Sequence, residues 1–127
     1  MPQRIQRQRT CGWRMPPGAV YVGRPTPWGN PATVASAIEH QVAATDREAR
    51  AAVVRTYRHW LLGTEPGEQD RYWVGAHVYD RRWVRAHLSE LAGWDLVCWC
   101  PPGQPCHADV LIELANRPAT TGPGRPR

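Results

Sequence analysis

Residues 95–114 read DLVCWCPPGQPCHADVLIEL, and the fold turns on this stretch. Leu96, Val97, Cys98 and Trp99 make a near-continuous apolar run between Gly93 and Pro101, the pattern of a short buried strand over residues 95–100. Side chains alternate across a strand, so Cys98 and Cys100 share one face and Trp99 takes the other. Pro101, Pro102, Gly103 and Pro105 then impose a loop. From Cys106 onward the apolar residues Val110, Leu111 and Leu114 fall at helical spacing, with Cys106 as N-cap. The unit is strand, tight loop, helix.

In open α/β sheets ligands sit beyond the carboxyl ends of the strands, where helix N-termini offer free N–H groups and a partial positive charge. Cys100 closes the strand and Cys106 opens the helix, so both are expected to edge that crevice. A thiol at a helix N-terminus has its pKa lowered, and the thiolate is the form that attacks electrophiles or binds metal. Cys106 is therefore expected to be the most acidic thiol and Cys98, between Val97 and Trp99, a core residue and the least reactive. His107 lies on the apolar face of the helix with Val110 and Leu111. It reads equally as a hydrogen-bonded core histidine or as a functional one. Asp109, at the third helical position, is either a candidate catalytic carboxylate or an acidic residue favouring the helix start.

Four motifs in order, RIQRQR near the N-terminus, VYVGRP, WGNP and CWCPPGQPCHADVL, resemble the bacterial and phage family catalogued as domain of unknown function 4326. The resemblance runs from about Arg4 to Asn116 and implies a compact α/β domain, but no activity. A cysteine after a strand followed by a Cys-His pair opening a helix also resembles domain of unknown function 488. That pattern has an arginine where this chain has Ala108, so only the topology carries over.

The chain has 127 residues, 42% of them hydrophobic, enough for one domain with a core that needs no staple. No apolar run approaches the roughly 18 residues of a membrane span, and the N-terminus lacks the apolar segment of a signal peptide. A cytoplasmic location with reduced thiols and no disulfide is the expectation. The formal charge is +5, and every basic side chain other than histidine is arginine. Codon bias in a GC-rich genome is the bland account of this, while arginine also suits bidentate recognition of phosphate or carboxylate.

Residues 1–18 read as a basic arm carrying Arg4, Arg7, Arg9 and Arg14, packed on the domain and lending Arg14 or Trp13 to a pocket. The same cluster would suit a nucleic acid backbone. Residues 19–22, AVYV, form the first strand of a domain spanning residues 19–116. The following GRPTPWGNP is a rigid loop that presents Arg24 to an anion, with Asn30 and Trp28 as further ligand contacts. A purely structural turn, with Trp28 as a plug and Asn30 bonding its own backbone, is the competing reading. Residues 32–35 read as a strand with a loose helix after it.

Thr45 and Glu48 make a capping box for a helix whose apolar stripe is Ala49, Ala52, Val53, Tyr57, Trp60 and Leu61, ended by Gly63. Arg47, Arg50, Arg55 and Arg58 occupy its solvated face. Residues 63–72 read as an exposed loop, and Asp80 caps a helix running to Leu91. Alternation of helix and strand implies a small, mostly parallel sheet covered by helices. Residues 117–127, rich in proline and glycine, read as a disordered tail.

Two functions compete. In the first, an α/β domain binds or acts on a phosphate-bearing small molecule, a nucleotide or nucleotide-sugar derivative, as a cysteine-dependent transferase or hydrolase without a cofactor. The site lies between the Arg24 loop and the cysteine crevice, with Cys106 or Cys100 and His107 as reacting groups. In the second, the chain is a binding module without catalysis, either stapled by zinc on Cys98, Cys100, Cys106 and His107 or a metal-free adaptor for nucleic acid or protein. The ligand types suit zinc, but adjacent residues Cys106 and His107 diverge by about 100° on a helix. The domain is expected to fold without metal or disulfide, and a thermal transition abolished by chelator would favour the zinc module instead.

Overall fold

The computed structural model describes residues 2–33, 44–63 and 68–117. Its centre is strand β5, Asp95–Cys98, flanked by β1, Arg4–Gln6, and β2, Ala19–Tyr21, in the order β1-β5-β2. Both pairings are parallel: Ile5 faces Val97, and Val20 faces Leu96. Leu96, Val97 and Cys98 are all buried, as a central parallel strand requires. The strand stops at Cys98, so Trp99 and Cys100 belong to the following loop.

The N-terminal segment supplies a strand. Residues 4–6 alone would not read as one, because RIQ has a single apolar residue. Pairing decides it: the backbone N–H of Leu96 donates to the Gln3 carbonyl at 3.0 Å and that of Arg7 to the Cys98 carbonyl. Arg4 adds side-chain bonds to the Pro101 carbonyl and to Asp109, at 3.1 and 3.3 Å. The segment read as an arm packed on the domain is thus partly an edge of its sheet.

Helix α1, Asp46–Leu62, has the capping box expected from its sequence: Thr45 Oγ1 accepts from the Glu48 N–H, and Glu48 reaches back to the Thr45 N–H. Gly63 closes it at φ 69°, a left-handed conformation that costs glycine little. Ala49, Ala52, Tyr57, Trp60 and Leu61 are buried along it. A hairpin follows where a loop was expected through Tyr72. Strands β3, Arg71–Val74, and β4, His77–Asp80, pair antiparallel around Gly75 at φ 61°. Tyr72 opposite Tyr79 faces the core while Trp73 opposite Val78 faces outward. The mostly parallel architecture therefore holds for the three-stranded sheet, and the hairpin is a separate antiparallel pair.

Asp80 caps α2, Arg81–His87, by accepting from the Arg82 N–H at 2.8 Å. The helix expected to reach Leu91 tightens into a 3-10 turn over Leu88–Leu91. Finally α3, His107–Ala115, starts from Cys106 as N-cap and buries Ala108, Val110 and Leu111 against the sheet. Residues 32 and 33 are outside any strand; the rest of the segment read as strand and loose helix, and nearly all of the C-terminal tail, fall outside the described residues. No helix among the described residues is long and apolar enough to cross a membrane.

Asp80 carries a testable load. Burial opposes its ionisation, but Arg71 and both the backbone and guanidinium of Arg82 outweigh this and hold its pKa at about 2. Asp80→Ala is expected to cost about 1 kcal/mol, the usual worth of an N-cap. With a folded pKa below the unfolded value of about 3.9, the charge-dependent part of the contribution is complete above that value. It fades as pH falls toward 2. The gap in melting temperature between wild type and Asp80→Ala should thus be widest near neutrality and narrow in acid; a pH-independent gap would leave only the neutral cap.

Candidate functional site

Because β2 and β5 are parallel, their carboxyl ends open on one side, and a cavity of about 470 Å³ lies there. Tyr21, Gly23 and Arg24 line it from the end of β2, Cys98, Trp99 and Cys100 from the end of β5, and Cys106 and His107 from the start of α3. Arg50, Val53 and Val54 of α1 close the remaining wall.

The loop after β2 is held by its own bonds. The Thr26 N–H and hydroxyl both donate to the Gly23 carbonyl, and the Tyr21 hydroxyl donates to the Arg24 carbonyl at 2.8 Å. Gly29 presses on Arg24: a Cβ there would stand 2.6 Å from Arg24 Cγ and 2.9 Å from the Tyr79 ring. Only glycine lets the arginine stem lie so close. Among the described residues no carboxylate pairs with the Arg24 guanidinium.

Asn30 borders the cavity, but its side chain is engaged, donating to the Val53 carbonyl and accepting from the Ala32 N–H, each at 2.9 Å. Trp28 is a core plug, edge-on to Trp83 at 4.8 Å, with its carbonyl bonded by the Tyr57 hydroxyl. It does not line the cavity, and its packing matches the structural-turn reading of this loop. Arg14 is exposed and outside the lining. Asp109 pairs with Arg4, also outside the lining; charge pairing across β1 and α3 accounts for it.

Arg50 is the residue that helix patterning misplaced. Assigned to a solvated face, it instead lines the cavity and pairs with Asp46 at 2.8 Å. Spacing carried the signal, since Arg50 shares a face with Val53 and Val54, three and four residues on. Its neighbours Arg47 and Arg58 are also engaged: Arg47 bonds the Gly103 carbonyl and Gln104 in the cysteine loop, and Arg58 pairs with Glu113 of α3.

The three thiols of the crevice converge. Cys98, Cys100 and Cys106 place their sulfurs within 4.8 Å of one another, and Cys106 Sγ lies 3.1 Å from Cys98 Sγ. All four cysteines are free thiols. Cys106 is 1% exposed; its sulfur turns inward to accept from the Ala108 N–H at 3.5 Å. The expectation that it is the most acidic thiol is reversed. Sharing a hydrogen bond with Cys100, and burial, push its pKa far up. Cys98, bonded to the same Cys100, is pushed up to about 11. Cys100 moves down, because Cys106 and Cys98 hydrogen-bond to its thiolate, with the Arg50 guanidinium adding favourable charge. It is also the least buried of the three.

His107 is a hydrogen-bonded core histidine that also borders the cavity. Its Nε2 stands 2.8 Å from the Val22 carbonyl; a carbonyl only accepts, so Nε2 carries the proton and Nδ1 the lone pair. Nδ1 faces Cys106 Sγ at 3.7 Å. Burial lowers the ring's pKa despite the Val22 bond, so the imidazole is a neutral acceptor beside the thiols.

In the metal-free, reduced protein, iodoacetamide is expected to modify exposed Cys11 and half-buried Cys100 well before Cys98 and Cys106. Peptide mass spectrometry over a time course reads the order, and early labelling of Cys106 would mean that the cysteine loop is open.

Trp99 is half exposed and forms a second surface. Arg7 and Arg9 stack over its ring at 5.3 and 4.7 Å, and Arg7 also covers Tyr21 at 4.6 Å. Trp99 and Tyr21 border the cavity as well.

One family model, described as Domain of unknown function (DUF4326), matches residues 5–117. No curated protein and no solved structure matches the chain.

Proposed function

We propose, for a chain that belongs to the DUF4326 family, that the cavity binds a phosphate-bearing small molecule, a nucleotide or nucleotide-sugar derivative, and presents it to the cysteine cluster. The observation that carries this reading is the lining: two arginines, the start of a helix, and no carboxylate among the described residues. Such a wall attracts anions, and arginine engages phosphate through two parallel hydrogen bonds. Arg24 is the principal clamp, since no carboxylate among the described residues competes for it; Arg50 is shared with Asp46. The cavity volume of about 470 Å³ falls within the range of small-molecule sites. Cys100, at the mouth of the cluster, is the group such a ligand meets first, with His107 as its neutral neighbour.

A second reading has one observation in its favour. Arg7, Trp99 and Arg9 combine positive charge with an aromatic face, the combination that single-stranded nucleic acid uses. The two readings separate in one experiment. A thermal-shift titration with inorganic phosphate, ribose 5-phosphate and nucleoside monophosphates is expected to show a saturable rise with the organic phosphates at constant ionic strength. No rise, together with oligonucleotide binding that weakens steeply with salt, would replace the first reading by the second.

A further inference from the structure

We propose that Cys98, Cys100 and Cys106 together hold one zinc ion, with the fourth coordination position open to the cavity. Three sulfurs within 4.8 Å of one another, two of them at 3.1 Å, bracket the edge of a zinc–thiolate tetrahedron. Zinc–sulfur bonds of about 2.3 Å place ligands about 3.8 Å apart. Binding requires the Cys98–Cys106 pair to open by less than about 1 Å from its 3.1 Å separation. The three residues also stand on fixed ground: the last residue of β5, the loop that Arg47 and Arg4 bond from two sides, and the N-cap of α3.

Charge favours the assignment. Three thiolates around a divalent ion carry one net negative charge, and Arg50 lines the same cavity as the three cysteines. Cys11, the remaining thiol, is exposed and does not belong to the group.

The set differs from the four-ligand zinc staple that the sequence suggested. His107 Nδ1 approaches Cys106 Sγ but does not converge with the other two sulfurs. Its ring is held elsewhere, by the Val22 carbonyl and by edge-on contact with Tyr57 at 5.3 Å. Structural zinc sites are closed by four protein ligands, whereas three protein ligands and an open position mark sites where zinc acts on something bound. All three cysteines line the same cavity as Arg24 and Arg50, which is where an open position would meet a ligand. Only what fills that position rests on the phosphate reading; metal binding itself does not.

The test uses the full chain purified without chelator. Elemental analysis is expected to give about one zinc per chain, kept by Cys11→Ser and lost from Cys98→Ser, Cys100→Ser and Cys106→Ser. Exchange for cobalt(II) should give intense sulfur-to-metal charge transfer and the visible bands of a tetrahedral ion. Those visible bands should move when a nucleoside monophosphate is added. Because a serine variant at the buried cysteines can fail to fold, the cobalt spectrum of wild type stands as an independent reading of three thiolates. Reduced wild type that takes up neither metal, or a purified protein with a Cys98–Cys106 disulfide that binds no metal after reduction, overturns the assignment. A folded His107→Ala that loses the ion overturns the open position. Zinc without any response to organic phosphates would instead reject the ligand reading and leave the metal in place.

Discussion

Trp60→Ala is expected to cost about 3–5 kcal/mol, the range for removing a buried tryptophan, out of the roughly 5–15 kcal/mol that holds a domain together. Trp60 is 2% exposed. It joins α1 to the hairpin: its indole N–H donates to the Gln69 carbonyl at 2.8 Å, and its ring lies 6.1 Å from Tyr57 and 5.8 Å from Tyr72. Alanine leaves a cavity and an unpaired carbonyl together. Trp60→Phe should lose less, since it keeps most of the volume and gives up the hydrogen bond. Urea midpoints for the two variants check the order. A shift under about 1 kcal/mol for alanine, well below the cost of a core cavity, would remove the hairpin from the core.

The second large effect falls on the ligand. Arg24→Lys is expected to weaken binding of an organic phosphate at least about tenfold, or ~1.4 kcal/mol, because a lysine ammonium lacks the planar fork that bonds two oxygens at once. The fold should be untouched, as the guanidinium makes no ion pair among the described residues. Arg55→Lys, on the exposed side of α1, should bind as wild type. Gly29→Ala tests positioning without touching charge: its methyl would displace Arg24 or Tyr79, so affinity should fall while the net charge stays the same. Equal small losses from every arginine, measured by titration calorimetry, would indicate diffuse electrostatic attraction instead.

What the sequence disclosed and what it hid divide by whether a signal was local. The capping box at Thr45 and Glu48, the glycine stop at Gly63 and the cap at Asp80 are short-range chemistry, and all three stand in the structure. So does the strand-loop-helix unit around the cysteines. Strand β1 was hidden because RIQ becomes a strand only by pairing with β5, ninety residues on. The hairpin was masked by the polar run before it, although Tyr72, Trp73 and Val74 on one side of a glycine and Val78 and Tyr79 on the other are strand-forming residues. Cys106 illustrates a different failure. Its place at the helix start was right, but the same capping geometry turns the sulfur inward onto Cys98, where burial and shared hydrogen bonds outweigh the helix dipole. Arg24 and Cys100 were legible as neighbours because the ends of parallel strands must open together. Arg50 was not, since its role depends on which way α1 is rolled against the sheet.

The claim that one cavity joins the Arg24 loop to the cysteine cluster is tested most directly by titrating ¹⁵N-labelled protein with a nucleoside monophosphate at constant ionic strength. Saturable shifts are predicted at Gly23, Arg24, Arg50, Trp99, Cys100 and His107 with one common affinity. Shifts confined to Arg7 and Arg9, or no shift at all, would contradict it.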